Sequence, residues 1–248
     1  MINLKSKDEI DLMREAGRIA ALCLEELKAQ ICEGKTPLEL DRFAEEYIRK
    51  HGGTPSFKGY MGYPASLCVS VNEEVVHGIP SSRPFREGDL VSIDIGAIFK
   101  EFHGDMAVTV PVGKIPADKE KLVRVTEEAL YKGIEMARVG NYLSDISHAV
   151  QKHAEKNGFS VVRELVGHGV GRRLHEEPQV PNYGKPGEGP ILEEGIVIAI
   201  EPMLNMGKAD VKVRNDKWTV VTVDMMPSAH FEHTLAITKN GPVILTKP

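Results

Sequence analysis

Gly34-Lys35-Thr36-Pro37-Leu38-Glu39-Leu40 and Gly140-Asn141-Tyr142-Leu143-Ser144-Asp145-Ile146 open two segments of like pattern in a chain of 248 residues. Thr36 to Glu39 is a capping box, in which a hydroxyl and a Glu three residues later satisfy each other's backbone donors, with Pro at the first helical position. Leu40, Phe43, Ala44, Tyr47 and Ile48 then mark one helical face, and Gly52-Gly53 ends it. The offset that places Gly34 on Gly140 carries Leu40 onto Ile146, Ala44 onto Val150 and Gly52 onto Gly158, so 144–157 reads as the matching helix.

Outward from these segments the likeness continues. Ser6-Lys7-Asp8-Glu9 is a second capping box, followed by a stripe of Ile10, Met13, Ala16, Ala20, Leu24, Leu27 and Ile31. Residues 119–139 have the same helical period in the later half. After each helix pair the period shortens: Leu67, Val69 and Val71 alternate, and 90–98 and 106–112 are strand-like, as are 160–165, 196–201, 218–223 and 230–238. Two helix–helix–strand units predict one α+β domain over residues 1–248, with halves at about 1–113 and 114–248. A mixed or antiparallel sheet would lie at its centre with helices outside, and the groove between the halves is the natural site.

Composition narrows the class. Apolar residues at 42%, charged residues at 27% and a formal charge of −5 describe an ordinary globular protein without a basic face, so direct nucleic-acid recognition is not expected. Cys23, Cys32 and Cys68 form no CxxC and cannot all pair, which fits reduced thiols in the cytoplasm. No apolar leader and no apolar run of ~18 residues is visible, so no membrane partner is expected.

The chemistry shows in acidic residues set among apolar strand residues: Asp94 in Val91-Ser92-Ile93-Asp94-Ile95-Gly96, Asp105 in His103-Gly104-Asp105-Met106, Glu201 in Ile198-Ala199-Ile200-Glu201-Pro202 and Glu232 in His230-Phe231-Glu232-His233-Thr234. Any one alone reads as a strand-end carboxylate or half of a salt bridge. Four together would each need a buried cation, and these segments carry few Lys or Arg, so shared metal is the simpler account. His168 in Gly167-His168-Gly169-Val170-Gly171 has the uncrowded backbone a ligand requires, although glycine neighbours alone would suit a loop histidine equally well. Two Asp, two Glu and one His suit a pair of divalent ions such as Mn, Fe, Co or Zn. Other motifs fail: 167–171 is not GxGxxG, His175-Glu176-Glu177-Pro178-Gln179 lacks the second His of HExxH, and Ala29 stands where a P-loop ending at Gly34-Lys35-Thr36 needs Gly.

At these residues the chain resembles the type I methionine aminopeptidases, the short bacterial kind, essentially from end to end. The resemblance rests on Val71-Asn72-Glu73-Glu74-Val75-Val76-His77-Gly78-Ile79-Pro80, Gly167 to His175, Ile200-Glu201-Pro202-Met203, His230 to Thr234 and the step from Asp94 to Asp105. It implies the pita-bread fold, two related halves about a curved sheet, around two divalent metals. The implied ligands are Asp94, Asp105, His168, Glu201 and Glu232, with Asp105 and Glu232 bridging, Asp94 completing one site, and His168 with Glu201 the other. The matching catalytic histidines are His77 and His175. Glu201 is then the candidate proton shuttle, His175 a donor to the scissile carbonyl and His77 a holder of the second residue's amide. The methionine pocket would involve Phe57, Tyr60, Tyr63, Cys68, Leu174 and Trp218, of which Phe57, Cys68 and Leu174 read equally well as core.

The implied activity is removal of the N-terminal methionine from nascent polypeptides whose second residue is small, by attack of a metal-activated water. A transient ribosome contact and a monomeric state are expected with it. Two departures stand out: Met225 occupies a position where relatives commonly carry Gly, and the zinc-binding N-terminal extension of longer eukaryotic relatives is not seen. The competing readings are an X-Pro aminopeptidase of the same fold and a catalytically silent pita-bread binding protein.

Overall fold

Helix α1 (Lys7–Gln30) starts where its capping box requires: Ser6 Oγ accepts from Glu9 N at 3.3 Å and the Glu9 carboxylate accepts from Ser6 N at 2.9 Å. Helix α2 (Pro37–Lys50) repeats the device with Thr36 and Glu39. The computed structural model describes residues 2–248; Met1, at which the expected first half begins, lies outside them. In the later half α3 (Ala117–Met136) and α4 (Leu143–Lys156) pair in the same way. At α4 the Asp145 carboxylate takes the backbone N–H of Tyr142 at 2.8 Å.

The strands are β1 (Thr54–Pro55), β2 (Leu67–Val71), β3 (Glu74–Val76), β4 (Leu90–Phe99), β5 (Phe102–Pro111), β6 (Ser160–Val161), β7 (Gly167–Gly169), β8 (Glu176–Val180), β9 (Val197–Ile200), β10 (Met203–Asn205), β11 (Val211–Val213), β12 (Val220–Thr222), β13 (Ser228–His230), β14 (Glu232–Thr238) and β15 (Gly241–Ile244). The main sheet runs β1-β4-β5-β14-β9-β7-β8, with β2 beside β4 and β15 beside β14. All its pairings are antiparallel, which decides between the two sheet types expected. Within the main sheet the two expected halves meet where β5 pairs with β14, Glu232 opposite Ala107.

Each helix pair covers its own part of this sheet. Leu24, Leu27, Leu40 and Ile48 pack on Leu67, Val69, Ile93 and Ile95, while Leu122, Leu130, Ile146 and Val150 pack on Ile198, Ile200, Leu235 and Ile237. Fully burying one such side chain is worth about 1.5–3 kcal/mol, so these clusters hold the helices to the sheet. Where α1 crosses β5 the contact is backbone on backbone. A Cβ on Gly104 would stand 2.5 Å from Gly17 N, so only glycine permits the approach.

Two expected strands come out differently. Residues 160–165 give only β6, since the chain turns outward at the exposed Arg163 and Glu164. Residues 230–238 divide at Phe231: β13 pairs with β10, while β14 leaves to pair with β5 and β9. The change of partner at Phe231 aims Glu232 into the main sheet. No helix among the described residues is long and apolar enough to cross a membrane.

Candidate metal centre and active site

Sheet register assembles the carboxylates. On β4 Asp94 lies opposite Cys68 of β2 on one side and Ala107 of β5 on the other, and Ala107 in turn lies opposite Glu232 of β14. Neighbours across a sheet point to one face, and Asp105, two residues before Ala107, shares that face. His233 pairs with Ile200, so one further step along both strands brings Glu201 beside Glu232. Asp105, His168 and Glu232 offer ligand atoms within 4.8 Å of one another, and His168 Nε2 is 3.5 Å from Glu201 Oε1.

Glycines admit the histidines. A Cβ on Gly167 would meet Ala199 O at 2.4 Å and one on Gly169 would meet Glu177 O at 2.2 Å, so β7 fits between β9 and β8 only without side chains flanking His168. Gly78 plays the same part beside His77, where a Cβ would meet Val69 O at 2.3 Å. His77 itself has a φ of 59°, a left-handed conformation that a non-glycine residue adopts at some cost and often at a functional site.

The electrostatics call for cations. Burial, then the charge of Asp105, holds Asp94 well above the usual carboxylate range. Burial raises Glu201 and Glu232 likewise, and pushes Asp105 up to about 7. Among the described residues no Lys or Arg lies within ion-pair distance of these four carboxylates, and Asp94 Oδ1, Asp105 Oδ1 and Glu232 Oε1 are buried without a hydrogen-bond partner. His168 Nδ1 lies 2.9 Å from Gly169 O; a carbonyl only accepts, so Nδ1 carries the proton and Nε2 presents its lone pair to the carboxylates. Burial lowers this imidazole to about 3, which keeps it neutral as a ligand must be. Orphaned oxygens, mutual repulsion and a neutral imidazole fit a divalent-metal site.

Every side chain singled out in the sequence lines one cavity of about 180 Å³: Phe57, Tyr60, Tyr63, Cys68, His77, Asp94, Asp105, His168, Leu174, His175, Glu201, Trp218 and Glu232. Its apolar end is a cluster of Phe57, Tyr63, Ala65, Cys68 and Leu174 with Tyr60, Ile79 and Trp218 against it, so the residues read equally as core or pocket are both. Tyr63 is the anchor, its hydroxyl donating to Leu67 O and Gly78 O at 3.0 Å, its ring edge-on to Trp218 at 5.0 Å. The volume is below the roughly 300–1,000 Å³ of drug-sized ligand sites and suits one side chain.

Sequence reasoning missed several residues. Met61 joins the cavity at its mouth, 82% exposed. His230 is buried with Nε2 unpartnered, 3.8 Å from Glu201 Oε2 and 3.9 Å from Glu232 Oε2. Its place two residues before Glu232 was the available signal. Thr234 Oγ1 accepts from Asp105 N and donates to Asp105 O, stitching β14 to β5 beside that carboxylate, and Asn182 Nδ2 donates to Glu201 O. No local pattern marks either.

Comparison with known proteins gives one family. The profile described as metallopeptidase family M24 matches residues 11–239. The chain is 58% identical over 247 residues to methionine aminopeptidase 1 of Bacillus subtilis, covering 100% of both. It is 57% identical over 246 residues to the methionine aminopeptidase of Clostridium perfringens, covering 99% of each. Among solved structures, that of the Thermotoga maritima methionine aminopeptidase superposes with a TM-score of 0.99 at 49% identity, covering 100% of both chains. The fold they share with this curled antiparallel sheet is the pita-bread fold.

Proposed function

The chain belongs to metallopeptidase family M24, and on that premise we infer that it is a metal-dependent aminopeptidase that removes the N-terminal methionine from new polypeptides. The observation that carries this most directly is four carboxylates, those of Asp105 and Glu232 buried and those of Asp94 and Glu201 partly buried, without a Lys or Arg of their own, at the end of a cavity sized for one side chain. Divalent cations would be held there by Asp94, Asp105, His168, Glu201 and Glu232, of which Asp105, His168 and Glu232 already offer ligand atoms within 4.8 Å of one another; two ions are expected from the resemblance, and Mn, Fe, Co and Zn all suit the donors. When bound they contribute Lewis acidity toward water and the carbonyl oxygen.

The chain's own residues do the remaining work. The substrate's free amine lies by Asp94, which restricts the reaction to chain ends. Its methionine side chain enters between Phe57, Tyr60, Tyr63, Cys68, Leu174 and Trp218, where a thioether gains contacts with the rings. His77 holds the amide of the second residue, which must be small. Glu201 takes the proton of the attacking water and passes it to the departing amine. His175 donates to the scissile carbonyl oxygen as negative charge develops there. Halves at about 1–113 and 114–248 each supply ligands to this single domain. The chain acts as a monomer in the cytoplasm, meeting nascent N-termini in transient contact with the ribosome.

The test is hydrolysis of Met-Ala-Ser, Leu-Ala-Ser and Met-Pro-Ser peptides with chelator and with added Mn or Co. Metal-dependent release of Met, and none of Leu, is expected. Cleavage of the Met-Pro peptide alone would move the protein to the X-Pro enzymes, and no cleavage under any metal would leave a binding protein.

A further inference from the structure

Two tyrosines stand three residues apart at the same cavity, yet their hydroxyls do different things. Tyr63 spends its hydroxyl on backbone carbonyls and is buried. Tyr60 is half-buried, and its hydroxyl reaches 115 residues along the chain to His175, with Oη 2.7 Å from Nδ1 and ring centroids 5.2 Å apart. The backbone is shaped to allow this. Gly59, Met61 and Gly62 all have left-handed φ values, 87°, 48° and 89°, and the turn is closed on itself by Gly59 N to Tyr63 O at 2.8 Å and Tyr63 N to Tyr60 O at 2.9 Å. The turn holds Tyr60 out from the wall that Tyr63 anchors. The ring of His168 also stands against His175 at 4.2 Å, edge-on, so the imidazole touches both a candidate ligand and a tyrosine.

We infer that Tyr60 is a positioning residue for His175, its hydroxyl on Nδ1 keeping the proton on Nε2, the nitrogen left to face the substrate. A neutral imidazole has one donor and one acceptor nitrogen, and the partner of one decides the role of the other. The 2.7 Å contact admits either direction, and in this inference the phenol O–H is the donor and Nδ1 the acceptor. With Nδ1 so occupied, the donor nitrogen is Nε2, as donation to a carbonyl oxygen requires; the opposite tautomer would meet that oxygen lone pair to lone pair. Nothing is consumed, since the bond only selects between tautomers of one ring. Tyr60 also presents its ring to the pocket. One side chain thus touches both the group that recognises the first residue and the group that polarises the bond after it. This rests on the role given to His175 above.

Tyr60→Phe keeps the ring and removes the hydroxyl. In the metal-loaded enzyme its kcat on Met-Ala-Ser should fall at least about tenfold while KM stays within about twofold, because the lost contact acts on the transition state and not on the pocket. In the His175→Ala background the same change should cost nothing further, whereas a tyrosine that only lined the pocket would still cost activity there. A second readout needs neither metal nor substrate: ¹⁵N spectra of the His175 ring in the metal-free protein should show Nε2–H alone in the wild type and a tautomer mixture in Tyr60→Phe. Wild-type kcat in Tyr60→Phe, an additive loss in the double variant, or an unchanged ring spectrum would each overturn the inference. A wild-type protein that cleaves no methionyl peptide would instead sink the proposed activity, and the ring spectrum would still decide the Tyr60–His175 contact.

Discussion

Single residues here carry demands that their chemistry makes explicit. Glu201 lies in reach of His168 and His230 in the cavity, its side chain 13% exposed, and desolvation raises it well above its usual range. Glu201→Gln keeps a ligand oxygen and the shape but cannot take a proton, so turnover should drop by about 10²–10⁴ with an unchanged circular dichroism spectrum. Near-normal turnover would remove Glu201 from the proton's path. The thiols make a second case. Burial, then the charge of Glu26, pushes Cys23 up to about 12, and burial with the Asp94 charge raises Cys68, while Cys32 is exposed. A thiol is reactive only as thiolate, so a disulfide reagent at pH 8 should modify one thiol promptly in the native protein and three after unfolding. Prompt reaction of all three would contradict the burial.

Elements meet through small and local devices. The crossing of α1 over β5 has no room for a Cβ, since one on Gly104 would reach Gly17 N at 2.5 Å and Gly17 Cα at 2.6 Å, both rigid backbone. Gly104→Ala must push the helix from the sheet next to Asp105, so the urea midpoint should fall by the equivalent of about 1–3 kcal/mol; an unmoved midpoint would mean that the helix has slack. The segment before α1 is tied to the residue after His175 by Lys5 Nζ on Glu176 at 2.7 Å, and to the turn before β9 by Lys5 N on Gly195 O at 2.7 Å. Burial pushes Glu176 up, but Lys5 and the Arg173 N–H outweigh it, and the carboxyl stays below its usual value. A depressed carboxyl pKa contributes stability above the unfolded value, about 4.3, and loses it as pH falls through the folded one. The stability difference between wild type and Lys5→Met should therefore be present at pH 7 and be lost as pH falls below the unfolded value of about 4.3 and through the lowered folded one; a difference that persists in strong acid would assign it to packing.

At the scale of the whole molecule, the proposed metal site would couple the two proposed halves. Asp94 and Asp105 come from one half, and His168, Glu201 and Glu232 from the other, meeting across the pairing of β5 with β14. Cations bound only by the folded state should raise the melting temperature, with about 2.7 kcal/mol of added stability at a hundredfold excess over the dissociation constant. Thermal melts of chelator-treated protein with and without Mn should show this rise in the wild type and largely lose it in Asp105→Asn. Absence of any rise in the wild type would separate the carboxylate cluster from metal binding. The sequence by itself determined what local physics controls: the capped starts of α1 and α2 at Ser6 and Thr36, the strand periods, and four acids whose apolar surroundings demanded a cation. The resemblance assigned the ligand set and the pocket on the same residues. Only the tertiary structure decided that 230–238 breaks at Phe231 to aim Glu232, that His230 stands behind two carboxylates, and that Tyr60 reaches His175. These contacts join residues far apart in the chain. They arise from sheet register and from where the chain changes partners, and no spacing within one segment encodes either.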